Sequence, residues 1–437
     1  MNRRRLLVGG ALGLLGTGVA VAVLTPWQVL PPGSPPVHPD VARAFSPAEV
    51  ARVARFRADL GAWPYAGILV GVLTPWVVVG ASRGPGGWRS VPGQRQSGPL
   101  GRPPKAGQTL LLVAGVAAAV VLASWLVALP VAAHSEMVLR RYGLSTQTWA
   151  GWMRDRVVGL GISAAVAVTA VVLVWWLVRQ APTRWPWLLA AVAAAVTVAG
   201  SALYPLVVEP LYTHATPLPA GPLRQRIEQL AARNGFGQVR VVVSNASSRT
   251  TGENAHVSGL GATRRVDLDD TLVARARSDP DAVVSVVAHE LGHVRHQDVA
   301  RGTAIGALGV SGAVLLVSGL LTSRRGRRLF RPESARPRDV VRSVALLLAV
   351  AATAPYVAAP VTTLVSRRIE AAADVHALQL TGDVAAFQRM QHDLATSNLT
   401  RLRPAWWQTM LFATHPAPAW RIAMADAWAR GPGAQQR

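Results

Sequence analysis

The chain of 437 residues contains no cysteine. That absence excludes disulfides, thiolate metal sites, a cysteine nucleophile and palmitoylation, and it leaves the redox compartment undetermined. Charged residues are also scarce, and the 22 acidic residues are outnumbered by 45 basic ones, nearly all arginine. The basic residues lie mainly in short segments beside apolar runs, a placement typical of membrane orientation and anionic lipid. We therefore predict the lipid bilayer as a partner and no nucleic-acid binding.

Long apolar runs are abundant, since 51% of the residues are hydrophobic. A helix needs about 20 apolar residues to cross a bilayer. Seven runs are candidates, at 6–27, 66–82, 107–133, 157–178, 185–207, 304–322 and 343–365. The second is the weakest, because it is short and contains Pro75. The pattern predicts a mainly α, multi-pass integral membrane protein, which we expect in a bacterial cell membrane.

The first run allows two interpretations. Three arginines, an apolar stretch and the sequence Ala20-Val21-Ala22 are typical of a cleavable signal. The apolar stretch is long for a signal, however, and it continues past this site. We therefore favour a retained first span, and both interpretations place the extreme N-terminus inside.

The basic residues also predict an orientation. If all seven runs span, the N-terminus and the segments after the second, fourth and sixth spans share one side and hold 18 basic residues. The short segments on the other side hold 8, or 10 when Arg367 and Arg368 after the last span are added. Because segments rich in basic residues stay in the cytoplasm, this difference places the polar block after the fifth span outside.

That polar block, at 208–303, divides the chain. Residues 1–207 hold five spans with polar segments at 28–65, 83–106 and 134–156, residues 304–365 hold two more spans, and residues 366–437 form C-terminal helices. Within the block, alternating apolar residues predict strands at 239–243, 254–259 and 264–268, which would form a short three-stranded sheet. Asp279 is suited to cap a helix whose first residue is Pro280.

The predicted helix carries the sequence HELGH. Residues four apart share one helical face, so His289 and His293 can bind one zinc ion. Glu290 lies about 100° further round the helix, short of the ion. Its carboxylate can act as general base toward a water molecule that the zinc activates. The alternative is a helix with two unrelated histidines.

A catalytic zinc site needs a third protein ligand and an open position. Glu370 and Asp374 lie four apart on the predicted helix after the last span. Glu370 is the candidate ligand, and Asp374 can accept a hydrogen bond from a ligand histidine. An exposed acidic helix face is the alternative. His296 is a rival ligand, although it would lie about 10 Å along the helix axis from His289.

Two further segments are candidates for substrate binding and catalysis. Asn254 and Ala255 begin a strand whose edge could bind an extended peptide by strand addition. The alternative is an ordinary hairpin. His415 and Arg421, near the C-terminus, could stabilise a tetrahedral oxyanion. The alternative for His415 is a structural histidine.

These segments resemble the type I CAAX prenyl protease family of membrane zinc endopeptidases, which is related to the bacterial heat-shock-type membrane metalloproteases. The matching segments, in the order of the family, are RRYGLSTQTW (140–149), EPLYTHATPLPAGPLRQRIEQLAARNGF (209–236), NAHVSGLGATRRVDLDDTL (254–272), HELGH (289–293), SRRIEAAAD (366–374) and THPAPAWRI (414–422). The resemblance implies about seven transmembrane helices around a chamber. It also implies a zincin-like α+β catalytic block inserted between spans five and six.

The resemblance further implies a role for each candidate residue. One zinc ion per chain would be held by His289, His293 and Glu370, with Glu290 as general base and Asp374 supporting a ligand. Asn254 would hold the substrate backbone, and His415 with Arg421 would support the transition state. The expected substrate is a peptide or protein that is membrane-associated, hydrophobic or lipid-modified.

Two points stay open in the sequence. The resemblance implies a site served from the cytoplasm, opposite to the orientation that the basic residues predict. The alternatives to a processing protease are a sensor-transducer with a zinc domain and a quality-control protease for membrane proteins.

Overall fold

The computed structural model describes residues 2–82, 106–233, 235, 239–334 and 336–432. The predicted loop at 83–106 therefore lies outside the described residues, apart from Ala106. The helices are α1 (Arg3–Leu24), α2 (Val41–Ala44), α3 (Pro47–Leu60), α4 (Trp63–Ala81), α5 (Ala106–Arg141), α6 (Trp149–Gln180), α7 (Trp185–Val207), α8 (Pro222–Arg233), α9 (Asp270–Arg275), α10 (Pro280–His296), α11 (Asp298–Leu321), α12 (Gly326–Leu329), α13 (Pro337–Thr381), α14 (Val384–Ser397), α15 (Trp406–Phe412) and α16 (Pro418–Arg430). The strands are β1 (Ala215–Pro217), β2 (Val241–Ser244), β3 (Ala255–Ser258) and β4 (Arg265–Asp269).

Seven of the described helices are long and apolar enough to cross a membrane: α1, α4, α5, α6, α7, α11 and α13. They coincide with the seven predicted runs, which confirms a multi-pass, mainly α integral membrane protein. Pro75 does not end the weak second span, because α4 continues through it from Trp63 to Ala81. Several of these helices extend beyond membrane length, and α13 has 45 residues.

The polar connections gather at two opposite ends of the bundle. At one end, α2 and α3 pack on the end of α5 and on the C-terminal helices, through a buried cluster that includes Phe45, Phe56 and Leu399. At the other end, Trp175 and Trp185 pack with Phe330 of the segment between α11 and α13. Successive connections thus alternate between the ends, as seven spans require.

The first span packs tightly on α11. A Cβ atom on Gly13 would lie 2.8 Å from the Cα of Gly312, and one on Gly10 would lie 2.6 Å from the backbone nitrogen of Leu316. Glycines at such a contact let two membrane helices approach closely. In this arrangement α1 is packed into the bundle against α11.

The polar block at 208–303 contains a mixed sheet in the order β1-β2-β4-β3. The outer pairs are antiparallel and the central β2–β4 pair is parallel. The prediction of three strands was wrong, because it missed β1. That strand has only three residues and ends at Pro217, which cannot donate a backbone hydrogen bond and so fits an edge position. Strand β3 forms the opposite edge.

Helix α10 lies in the hydrophobic core between this sheet and helices α8, α13 and α14. Its apolar side chains are almost fully buried, including Val283, Val287, Ala288 and Leu291. The start of the helix is as predicted, since the Asp279 side chain accepts a hydrogen bond from the backbone N–H of Ala282 at 3.0 Å. Burial on several sides holds the HELGH helix in one position.

Candidate active site

The two histidines of the HELGH helix face one point. The Nε2 atoms of His289 and His293 are 3.2 Å apart, one helical turn from each other. Both side chains are largely shielded from solvent, with 8% and 13% of their surface exposed. Nitrogen ligands at this separation can bind a single ion.

The close approach of α13 brings in a carboxylate. A Cβ atom on Gly292 would lie only 3.1 Å from the Cα of Ala373, so the absence of a side chain there lets α10 and α13 nearly touch. Glu370 then places Oε2 at 3.2 Å from His289 Nε2 and Oε1 at 3.7 Å from His293 Nε2. The structure thus brings the predicted ligand Glu370 together with the two histidines.

Each histidine has a carboxylate on its other ring nitrogen. His289 Nδ1 lies 2.9 Å from Asp374 Oδ1, and His293 Nδ1 lies 2.9 Å from Asp298 Oδ2. A carboxylate on Nδ1 places the proton there and leaves the Nε2 lone pair for a metal. The sequence reasoning included Asp374 but missed Asp298, whose signal was an acidic residue at the start of the next helix.

The donor set fits a divalent metal ion such as zinc. Two imidazole nitrogens and one carboxylate oxygen, with supporting carboxylates behind them, are the ligands of many catalytic zinc sites. Burial alone would lower the pKa of His289, but the carboxylates of Asp374 and Glu370 raise it to about 10. The same negative potential attracts a metal cation.

Two more candidate residues lie beside these ligands. Glu290 is 95% buried on α10, and His415 places Nε2 at 3.1 Å from Glu370 Oε2. About half of the His415 side chain is exposed, so it faces the open side of the site. Arg421 is directed elsewhere, because its Nε and Nη2 both donate to the carboxylate of Asp374, the former at 2.7 Å.

The predicted substrate strand lies at the sheet edge. Asn254 accepts a hydrogen bond from the backbone N–H of Asp269 at 3.0 Å, and Ala255 opens β3, which pairs with β4 along one side. The opposite side of β3 is an open edge among the described residues. An open edge of this kind can accept an extended peptide.

His296, the rival ligand, does not join the group. The described residues that could hold a metal here are His289, His293 and Glu370. The ring of His296 instead lies 5.5 Å from the ring of His376, and burial lowers its pKa.

A second polar group lies on the outer face of the sheet. Glu209, His256 and Asp267 are close enough to hold a cation. Arg265 already occupies this position, with Nη2 at 2.7 Å from Glu209 and 3.3 Å from Asp267. His256 completes the network at 2.8 Å from Glu209. We describe it as an ion network that connects the end of α7 with β3 and β4.

Comparisons with known proteins agree with this geometry. The family model of peptidase family M48 matches residues 217–429. The model of the CAAX prenyl protease N-terminal region, with five membrane helices, matches residues 98–214. An uncharacterized metalloprotease of Bacillus subtilis, YhfN, is 30% identical over 308 residues, which cover 69% of this chain and 70% of that protein.

The chain is also similar to a plant protein and to a solved structure. A CAAX prenyl protease 1 homolog of Oryza sativa is 28% identical over 322 residues, which cover 73% of each protein. The crystal structure of Ste24p from S. mikatae matches with a TM-score of 0.65 at 20% identity, covering 96% of this chain and 98% of that one. This structural likeness shows that the fold is shared over nearly the whole chain.

The sequence comparisons favour a protease over a zinc-domain sensor. The matched regions together contain five of the seven described membrane helices (α5, α6, α7, α11 and α13), the HELGH helix and the acidic residues on α13. The chain therefore belongs to peptidase family M48 and is an integral membrane metalloprotease.

Proposed function

We propose that the chain is a zinc endopeptidase in which His289, His293 and Glu370 hold the ion. The convergence of two Nε2 atoms and one carboxylate, within 3.2 to 3.7 Å of one another, carries this proposal. Because Asp374 and Asp298 occupy both Nδ1 atoms, the two Nε2 atoms are oriented for a metal.

The residues around the proposed ligands have separate roles in catalysis. When bound, zinc supplies a Lewis acid that lowers the pKa of water and polarises the scissile carbonyl. Glu290 accepts the proton of the attacking water and delivers it to the leaving amine. His415 donates a hydrogen bond to the developing oxyanion. Arg421 acts through Asp374, because its N–H groups hold that carboxylate against His289.

We further propose that the substrate adds to the open edge of β3. Backbone groups of Ala255 would pair with an extended peptide and bring a peptide bond to the metal. Asn254 would fix one end of that peptide through its exposed side chain.

A cavity within the helical bundle supports a hydrophobic or lipid-modified substrate. It has a volume of about 830 Å³ and is lined mainly by apolar residues of α4, α5, α6 and α13, including Val120, Trp125 and Leu348. Asp155 also lines it and pairs with Arg249 at 2.9 Å. Arg249 lies five residues before Asn254, so the cavity adjoins the approach to the substrate strand.

Cleavage of a lipidated peptide tests this function. Full-length protein purified in detergent should contain one zinc per chain and cleave a farnesylated peptide faster than the same peptide without the lipid. Glu290→Gln serves as the inactive control. Equal rates on both peptides would contradict the lipid-modified substrate, and absence of zinc or of Glu290-dependent cleavage would contradict the enzyme mechanism. Crosslinking to Glu290→Gln would then capture natural substrates.

The distribution of basic residues supports an orientation with the catalytic end outside. The structure places the N-terminus and the arginine-rich segment around α12 at the same end of the bundle, opposite to the catalytic block. Moving such a segment across a bilayer is costly.

The absence of cysteine makes this orientation easy to test. Single cysteines at Ser248 and Glu333 would mark opposite ends, and both positions are exposed. On intact cells, a membrane-impermeant thiol reagent should label Ser248→Cys and not Glu333→Cys. The reverse pattern would place the catalytic block in the cytoplasm.

A further inference from the structure

The residues that lead into β3 are held by the rest of the molecule. We call residues 249–253 the lead-in segment. On the membrane side, Thr146 donates its backbone N–H to Arg249 and Thr251 donates to Leu144, which makes a short strand-like pairing. Arg249 also pairs with Asp155 of α6. The start of the lead-in segment is therefore fixed to the connection between α5 and α6.

At the end of the lead-in segment, Thr271 Oγ1 donates to the carbonyl of Gly252 and Arg275 pairs with the carboxylate of Glu253. The backbone groups of Glu253 are bound by the side chain of Asn398. The backbone N–H of Glu253 donates to Asn398 Oδ1 at 3.1 Å, and Asn398 Nδ2 donates to the carbonyl of Glu253 at 2.9 Å. The amide group thus satisfies both backbone groups of one residue, as a neighbouring strand would.

These two hydrogen bonds lie on the open edge of β3. Backbone groups of successive residues in a strand point to opposite sides, and the Asn254 carbonyl points toward β4. The backbone groups of Glu253 and Ala255 therefore point away from β4. Asn398 occupies the position on this edge directly before Ala255, so a substrate can pair with Ala255 but not with Glu253.

The surroundings of Asn398 fix its position. It follows the last residue of α14, and the next residue, Leu399, has a left-handed backbone with φ of 46°. That conformation is costly for leucine, and such outliers persist where the surroundings impose them. Leu399 is 99% buried, and its carbonyl accepts a hydrogen bond from Arg57 Nη2 at 2.7 Å. Gly252 completes the fit, because a Cβ there would lie 2.7 Å from Asn398 Oδ1.

We infer that Asn398 is a positioning residue that closes one end of the substrate-binding edge and holds its first residues in register. The inference rests on the proposed strand addition at β3. Asn398 does not contact the metal ligands, so its loss should weaken substrate binding while the chemical step is kept.

Kinetics separate this role from a general structural one. Asn398→Ala should raise KM about tenfold, the effect of losing hydrogen bonds that order the edge, with kcat and zinc content near wild type. Asn398→Asp, which keeps the acceptor for Glu253 N–H, should have a smaller effect. Ser397→Ala is the matched control, because its buried hydroxyl has no hydrogen-bond partner. A fall in kcat at unchanged KM would overturn the inference.

A double-mutant cycle tests the contact itself. Gly252→Ala should raise KM as Asn398→Ala does, because the new methyl group displaces the amide. In the Asn398→Ala background the same change should add little. Independent, multiplicative effects of the two substitutions would overturn the assignment of Asn398 as the group that Gly252 accommodates.

Hydrogen exchange separates failure of this inference from failure of the proposed function. Exchange at residues 252–257 requires no substrate and should increase in Asn398→Ala relative to Ser397→Ala. Unchanged exchange would overturn the role of Asn398 even if the protein is an active peptidase. Increased exchange with unchanged KM would show that the order of this edge does not serve substrate binding. A wild-type protein without peptidase activity would instead contradict the proposed function.

Discussion

The two helices that form the proposed metal site differ in how they are held. Helix α10 is short and surrounded by the core of the catalytic block, and it carries His289, Glu290 and His293 within five residues. Helix α13 continues from a membrane span into the block and contributes Glu370 and Asp374 near its end. The ligand pair His289–Glu370 is separated by 81 residues in the chain.

Because of this difference, we expect substitutions on α10 and on α13 to have different effects. On α10 the spacing of the ligands is set by the helix itself, since residues four apart lie on one face. On α13 the proposed ligand Glu370 lies beside the two histidines because Gly292 lets the helices pack closely. Substitutions on α10 should therefore affect the chemical step or remove a proposed ligand directly. Substitutions on α13 should affect how completely the zinc site forms.

The largest expected effect is on α10. Glu290→Gln should lower kcat by about two to four orders of magnitude, the range for loss of a general base, while zinc content stays near one per chain. Activity assays and metal analysis on the same preparation measure both. Full activity in this variant would remove Glu290 from the mechanism.

The corresponding change on α13 should affect metal binding first. Glu370→Ala should lower zinc occupancy and activity together, because it removes one of three ligands. His296→Ala is the control on α10 and should keep the metal, since His296 lies outside the ligand group. If metal content showed the opposite pattern, all the ligands would have to come from α10.

The supporting carboxylates allow a finer comparison. Asp298→Asn and Asp374→Asn should each weaken zinc binding by about 10- to 100-fold, measured by competition with a chromogenic chelator. The Asp374 variant should be the weaker binder, because it also leaves the buried Arg421 without its carboxylate partner. Equal affinity of the Asp298 variant and the wild type would show that His293 needs no partner on Nδ1.

The smallest expected effect is on thermal stability, and it concerns the carboxyl group of Asp269, which lies outside α10 and α13. Burial, partly offset by His256, raises the pKa of Asp269 to about 7 from an ordinary value of 3.8. A raised carboxyl pKa means that the stability contributed by the protonated form is complete below pH 4 and is lost as pH rises toward 7.

Asp269→Asn should remove this loss of stability with rising pH. The thermal midpoint of the variant relative to wild type should therefore increase between pH 4 and pH 8, measured in detergent by intrinsic fluorescence. A difference that does not change with pH would show that Asp269 is ionised throughout. The paired carboxylates of the metal site cannot report this effect cleanly, because metal binding also depends on pH.

Much of the fold and part of the site could be predicted from the sequence for local reasons. Spans require long apolar runs, so all seven were found, and the cap at Asp279 with Pro280 located the start of α10. The spacing of HELGH required one shared helical face. Strand β1 was missed because three residues ending in proline carry almost no periodic signal.

The choice between Glu370 and His296 could be argued from the sequence but not decided, because it depends on which helix packs against α10. The role of Asp298 depends on the left-handed Gln297, which ends α10 and starts α11 one residue later. That turn brings the carboxylate back to His293, a contact that an acidic residue at the start of a helix does not by itself predict.

The sequence by itself determined the number of spans, the HELGH helix and the shared face of His289 and His293. These features follow from hydrophobic length and helical periodicity, which act within a few turns of one segment. The tertiary structure alone decided that Arg421 holds Asp374, that Arg265 fills the second acidic group, and that Asn398 closes the edge of β3. Each of these contacts joins segments far apart in the chain, and their partners are selected by packing of the whole fold rather than by local preference.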